Sequence, residues 1–269
     1  MSHDSFTFMN RDICTPLNID EDISDIYNLA CPASTVAYRS SPIETIKASI
    51  LGGLNLLELA KNKGSKILQS STSEIYGDPL QHPQTEEYWG NVNPIGPRSC
   101  YDEGKRCAES LFINYYREYN TDVRVVRLFN TYGPNMSEND GRVISNFIVQ
   151  SLNNQNVTIY GDGTQTRSFC YVDDMTDALI KVMDSSCHEP INLGNPIEYT
   201  VGELSDLIIK ITGSASKKIY KNLPTDDPCC RKPDISKAIN ELQWQPTTTI
   251  AEGLTKTINY FKLTLESET

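Results

Sequence analysis

The sequence has no glycine-rich turn near its start. Its first glycines, Gly52 and Gly53, fall inside a predicted helix and far from any strand–helix junction. The opening stretch therefore offers no phosphate cradle of the kind a glycine turn and a helix N-terminus build together. Histidine is scarce, with three in 269 residues, and the eight cysteines form no CxxC. No zinc framework can be read from that pattern, and the thiols are expected to be reduced. Only Cys229 and Cys230 are adjacent, and no function follows from that pair. No apolar run approaches the ~20 residues of a membrane-spanning helix, and MSHDSFTFMNRD has no signal-peptide core, so a cytoplasmic chain is expected. Basic residues are in deficit, 24 against 35 acidic, for a formal charge of −11. Nucleic acid is a poor partner for such a chain, since neutralising phosphates needs clustered Lys and Arg. An anionic small molecule stays open, because a few local arginines override net charge.

What is there alternates between strand and helix. The pattern predicts strands over Phe6–Asn10, Asp25–Ala30, Lys66–Ser71 and Val123–Phe129. It predicts a helix over Pro42–Lys63, with Ile46, Ile50, Leu54 and Leu57 on one side and Gly64 closing it. A second helix follows over Tyr101–Tyr119, with Leu111, Tyr115 and Tyr119 in register. Such βαβα order implies an α/β fold with a parallel sheet covered on both faces. Beyond about Gly133 the loops lengthen, and Thr200–Thr212 and Ile235–Leu242 read as helices of a smaller lobe. Residues 1–133 are thus expected to form one unit, and 134–269 mainly a second, with some segments returning to the first.

Chemistry concentrates in NPIGPRSCYDEGKR, Asn93–Arg106, and in STSEIYG, Ser71–Gly77. Tyr101 and Lys105 are four apart, on one face of the predicted helix. An ammonium close to a phenol favours phenolate, which makes the tyrosine a usable base. Thr72, Ser73 and Glu74 end an apolar strand and add hydroxyls and a carboxylate. Ligands of open α/β sheets bind at such strand ends.

These two motifs, with YGDGTQTRSFCYVDD and CCRKPDI further on, resemble the extended short-chain dehydrogenases/reductases that modify sugar nucleotides. Within that group the chain is most similar to the UDP-glucuronate decarboxylases, which form UDP-xylose. The resemblance implies a Rossmann-like doubly wound sheet, NAD as cofactor and a homodimer packed through two long helices of each subunit. It also implies that the chain lacks the family's first strands: it starts at the third, with roughly 50 residues or one and a half βαβ units absent. A Golgi location stays open, because some members carry a membrane anchor in that missing part.

In the family NAD oxidises the sugar 4-hydroxyl, the 4-keto sugar loses its carboxylate, and the NADH reduces the ketone again. By resemblance Tyr101 is the base, Lys105 lowers its pKa and holds the nicotinamide ribose, and Thr72 bonds the 4-oxygen. Ser73 and Glu74 stand near the carboxylate-bearing carbon, and Arg231 grips the carboxylate or the uridine ribose. Asn130, Arg142, Tyr160, Gln165 and Arg167 match positions that hold UDP. Asp12, Ile13, Leu29, Ala30, Pro32 and Ser71, with Tyr101 and Lys105, match positions that hold NAD. Sugar-nucleotide 4,6-dehydratases carry Asp-Glu where this chain has Ser73-Glu74. A serine cannot protonate a leaving hydroxyl, which favours decarboxylation over dehydration. One departure is Ser49, where the family has an asparagine that helps order the site. Two alternatives stay open at this stage: a non-catalytic UDP-sugar-binding chain or dimer partner, and another epimerase or dehydratase.

Overall fold

In the computed structural model, residues 5–223, 228 and 230–267 are described; Cys229 lies outside them. The chain runs through β1 (Asp25–Asn28), α1 (Thr35–Ser40) and α2 (Pro42–Lys47) into a turn of π-helix, Ala48–Gly52. It continues through α3 (Gly53–Lys63), β2 (Lys66–Thr72), a 3-10 turn at Ser73–Tyr76, α4 (Ser99–Tyr119) and β3 (Val123–Leu128). Then come β4 (Thr131–Tyr132), α5 (Val143–Leu152), β5 (Val157–Tyr160), β6 (Thr166–Ser168), β7 (Cys170–Tyr171) and α6 (Val172–Asp184). The last part holds β8 (Ile191–Leu193), β9 (Glu198–Thr200), α7 (Val201–Thr212), β10 (Lys218–Lys221), α8 (Ser236–Leu242) and α9 (Ile250–Ser267).

The main sheet is four-stranded in the order β1-β2-β3-β8, with every pairing parallel. Both faces of its central strands are covered, which is why they read as continuous apolar runs rather than alternating ones. Leu56, Leu57 and Ala60 of α3 and Phe112 of α4 pack with Ile67, Val123 and Val125 on one face. Met175, Ala178 and Val182 of α6 pack with Leu68, Val126, Ile191 and Trp244 on the other. The fold is therefore the Rossmann-like doubly wound kind expected. A further cluster joins α5, α7 and α9 to β5 through Phe147, Ile148, Ile159, Leu204, Ile208, Leu254 and Phe261. Thr200 starts α7 as its cap, in a reciprocal capping box with Glu203, rather than as its first helical residue.

Three expectations need correction. Phe6–Asn10 is exposed and pairs with no strand among the described residues. Its β propensity has no neighbouring edge to act on. The segment over Pro42–Lys63 is helical throughout, but Ile46, Ile50 and Leu54 are only half-buried, and the side that meets α4 is made of small residues. A Cβ on Gly104 would already stand 3.2 Å from Ser49, and one on Gly53 3.7 Å from Phe112, so the crossing with α4 is lined by the small residues Ser49 and Gly53. Likewise α4 buries Tyr101, Lys105, Ala108 and Phe112, while Leu111, Tyr115 and Tyr119 run along its edge.

Candidate active site

Parallel pairing aligns the carboxyl ends of β2 and β3, with Ser71 opposite Arg127 and Thr72 opposite Leu128. At that end the strand breaks into the 3-10 turn, because the Thr72 hydroxyl accepts from the Glu74 backbone N–H at 3.2 Å. Gly77 then reverses the chain at φ +61°, where a Cβ would strike the Asn91 carbonyl oxygen at 1.9 Å. Helix α4 presents Tyr101 and Lys105 to the same place. The Lys105 ammonium donates to the Ser70 carbonyl at 2.7 Å and lies 5.8 Å from the centre of the Tyr101 ring.

Ser71, Thr72, Ser73, Glu74, Tyr101 and Lys105 all line one cavity of about 620 Å³. Asn130, Arg142, Tyr160, Gln165, Arg167 and Arg231 line it too, as does Leu29. Residues spread from position 29 to 231 thus converge on a single space. Asp12, Ile13, Ala30 and Pro32 do not reach its lining. The Asp12 carboxylate accepts from the Cys14 backbone N–H at 2.9 Å, and Ile13 packs against Gly52 while its carbonyl accepts from Asn55 at 2.8 Å.

Burial dominates the electrostatics of the base. It raises the Tyr101 phenol, and a hydrogen bond with Thr72 offsets only part of that. Burial also lowers the Lys105 ammonium. The net direction for Tyr101 is therefore upward, opposite to the depression expected from Lys105, whose ammonium donates to the Ser70 carbonyl. Glu74 behaves oppositely. Burial would raise its carboxyl, but Arg231 and Arg98 outweigh it and hold the group well below the usual carboxylate range. Arg231 donates from Nη1 to Glu74 Oε1 at 2.7 Å and to Ser73 Oγ at 3.0 Å, and from Nη2 to the Gly77 carbonyl at 3.0 Å. The fork expected to meet a substrate carboxylate is thus occupied by Glu74, and only Nε is without a partner. Asp102, next to the base, is pushed up to about 7 by burial first and then by the Glu74 charge.

The residues matched to UDP are held mainly by local contacts. Arg142 pairs with Asp140, and Arg167 donates to the carbonyls of Thr166 and Pro228 at 2.8 and 2.6 Å. Gln165 donates to the Tyr160 carbonyl at 2.5 Å, which leaves its own Oε1 buried without a partner. A buried acceptor aimed at nothing is costly, and it fits a ligand donor at this end of the cavity.

The cofactor fit is one-sided. Lys105 is 4% exposed and lines the cavity, yet its three donors have one partner, so a ribose diol satisfies it well. Ser71 Oγ is committed to Glu109. No strand among the described residues runs through a glycine turn into a helix, so none of them forms a pyrophosphate cradle of that kind.

Reading the sequence missed Tyr38, Arg98 and Cys31, all of which line the cavity. Arg98 lies within the quoted motif, but nothing in its spacing marks it. Tyr38 and Cys31 carry no sequence signal.

Comparison with known proteins gives this geometry a lineage. A family model described as GDP-mannose 4,6 dehydratase matches residues 2–257. UDP-glucuronic acid decarboxylase 3 of Arabidopsis thaliana is 52% identical over 266 residues, covering 98% of this chain and 77% of that protein. The chain belongs to the family of UDP-glucuronic acid decarboxylases. Another UDP-glucuronic acid decarboxylase, number 1 of Xenopus tropicalis, is 49% identical over 268 residues, and the chain spans 63% of its length. Decarboxylases of this family are enzymes on a short-chain dehydrogenase/reductase fold, and solved structures share it. A UDP-glucuronic acid 4-epimerase from Bacillus cereus, in complex with UDP-glucuronic acid and NAD, superposes with a TM-score of 0.85 at 28% identity. That match covers 96% of this chain and 82% of the epimerase. A UDP-glucose 4-epimerase from Thermotoga maritima with UDP-glucose gives 0.83 at 32% identity, covering 90% and 78%. Among the described residues no helix is long and apolar enough to cross a membrane, and no cluster of His, Cys, Asp and Glu is arranged to hold a metal.

Proposed function

We propose that this chain carries the site for NAD-dependent decarboxylation of UDP-glucuronate to UDP-xylose through a 4-keto sugar. The observation that carries the reading is the convergence of Tyr101, Lys105, Thr72, Ser73, Glu74 and Arg231 on one cavity, in a chain about half identical to UDP-glucuronic acid decarboxylases. When bound, NAD would supply a hydride acceptor that returns the same hydride. Tyr101 removes the proton of the 4-hydroxyl, and Thr72, on the same cavity wall, holds that oxygen. The ketone is β to the carboxylate, so the bond to carbon dioxide breaks into it. Ser73 offers no acid to expel a hydroxyl, and the enolate carbon left by the carboxylate takes its proton from a solvent water that the ionised Glu74 and Ser73 orient. Lys105 and Ser71 stand on the cofactor side. Asn130, Arg142, Tyr160, Gln165 and Arg167 hold the UDP.

The two-unit division at about residue 133 belongs to the same reading, with the nucleotide-sugar residues mostly beyond it. So does a homodimer. Half-buried Ile50 and Leu54, with exposed Ile43 and Leu51, leave an apolar outer side along residues 43–54, beside Leu111 and Tyr115 of α4. That surface suits a four-helix contact between two copies. The Arg231 fork taken up by Glu74 favours one second reading, a UDP-sugar-binding chain without turnover.

Calorimetry separates the two halves of the site. Because the residues matched to UDP are all in the cavity and several of those matched to NAD are not, UDP is expected to bind at least about tenfold more tightly than NAD, a gap of about 1.4 kcal/mol. NAD binding as tight as that of UDP would overturn this assignment.

A further inference from the structure

The guanidinium of Arg98 stands where the two halves of the catalytic wall meet. Arg98 precedes the first turn of α4 but makes no side-chain cap there. Its side chain is only 12% exposed and pairs through Nη2 with Oε2 of Glu74. The other oxygen of that carboxylate is taken by Arg231. One carboxylate is therefore gripped from two sides by planar forks, which fixes its plane as well as its charge.

On its other side Arg98 lies against Tyr38, with Cζ 6.0 Å from the ring centre. Tyr38 in turn stacks on Tyr101, ring centres 5.1 Å apart and planes 7° from parallel. The Tyr38 hydroxyl points away to the Thr35 hydroxyl at 3.2 Å, and burial pushes its phenol up to about 12. Tyr38 is thus a neutral spacer rather than a second base. The column runs Arg98, Tyr38, Tyr101, and its first member also holds the site's carboxylate.

We propose that Arg98 is a positioning residue that sets the charge and aim of Glu74 directly and braces Tyr101 through Tyr38. This rests on the reading of Tyr101 as the base and of Glu74 as the carboxylate that orients the protonating water. The ionisable groups that face Glu74 are Arg231, Arg98 and Asp102, with the Tyr101 and Tyr38 phenols behind them. Removing one of the two cations leaves a buried carboxylate with half its compensation, so its proton affinity rises. A lysine restores the charge but neither the second donor plane nor the guanidinium's approach to the Tyr38 ring.

The test uses carbon NMR of the full chain with carboxyl-labelled glutamate, the Glu74 signal being assigned from its loss in Glu74→Gln. In Arg98→Met the Glu74 signal is expected to titrate about one pH unit or more above wild type, and Arg98→Lys should recover most of that shift. In turnover assays both variants should lose kcat by about tenfold or more with KM for the sugar nucleotide changed less than about threefold. An unmoved Glu74 titration overturns the proposal, and so does a loss confined to KM. The titration needs no turnover, so it judges Arg98 even if the chain proves not to decarboxylate. Should Arg98→Met fail to fold, Arg98→Lys carries the kinetic half: unchanged kcat in that variant overturns the bracing role.

Discussion

Tyr101→Phe is expected to lower the turnover of UDP-glucuronate by about three orders of magnitude, within the 10²–10⁴ range of a positioned acid–base group, while UDP affinity stays within a factor of about three. The phenylalanine keeps the stack on Tyr38 and the burial of the ring, so only the hydroxyl and its Thr72 contact are removed. Burial keeps the Tyr101 phenol protonated at rest, and losing the group leaves nothing in its place. The check is a paired experiment: steady-state rates by product NMR, and UDP affinity by calorimetry. Retained turnover would remove Tyr101 from the chemistry. Loss of UDP binding along with turnover would mean that the ring is structural.

The second large effect is on stability. Arg127→Met is expected to destabilise the fold by about 3–5 kcal/mol, the cost of leaving a buried charge unpaired. Arg127 donates from Nε and Nη2 to the two oxygens of Glu109 at 3.0 and 2.8 Å, and from Nη1 to the Tyr76 hydroxyl and the Glu86 carbonyl at 3.0 and 2.7 Å. Without it, Glu109 keeps the hydroxyl of Ser71 and the more distant charge of Lys105 in a mostly buried site. Adding Glu109→Leu should recover a good part of the loss, since replacing a buried pair by apolar groups costs far less than breaking it. Urea unfolding of the two variants measures both terms. A single-variant loss below about 1 kcal/mol would show that the pair is solvated after all. Since Ser71 belongs to the strand that carries Thr72, the same variant should also loosen the cavity wall.

The contrast between these two sites shows what the sequence discloses. Tyr101, Lys105 and the Thr72–Glu74 run were legible because helix and strand periodicities fix which side chains share a face, and because the chemistry needs those residue types together. The central strands β2 and β3 were legible from their apolar, β-branched runs. Arg98 and Tyr38 were not, because their importance lies in a stack between elements about sixty residues apart, and no local spacing encodes that. The buried side of the helix over Pro42–Lys63 was misread for a related reason. Hydrophobic periodicity finds the apolar stripe, but a close helix crossing is lined by what is small, Ser49 and Gly53, and those carry no hydrophobic signal. Phe6–Asn10 shows the converse: its composition favours a strand, but a strand needs an edge to pair with, and a single segment's composition does not say whether one is present. The occupied fork of Arg231 is the subtlest case, since a residue's matched position does not reveal which of two carboxylates it holds.

The most direct test of the account is proton NMR of UDP-glucuronate incubated with the purified chain and excess NAD. Appearance of the anomeric signal of UDP-xylose, with release of carbon dioxide, is the predicted result. Unchanged UDP-glucuronate from a folded chain that binds UDP would contradict it and leave a binding protein on a decarboxylase fold.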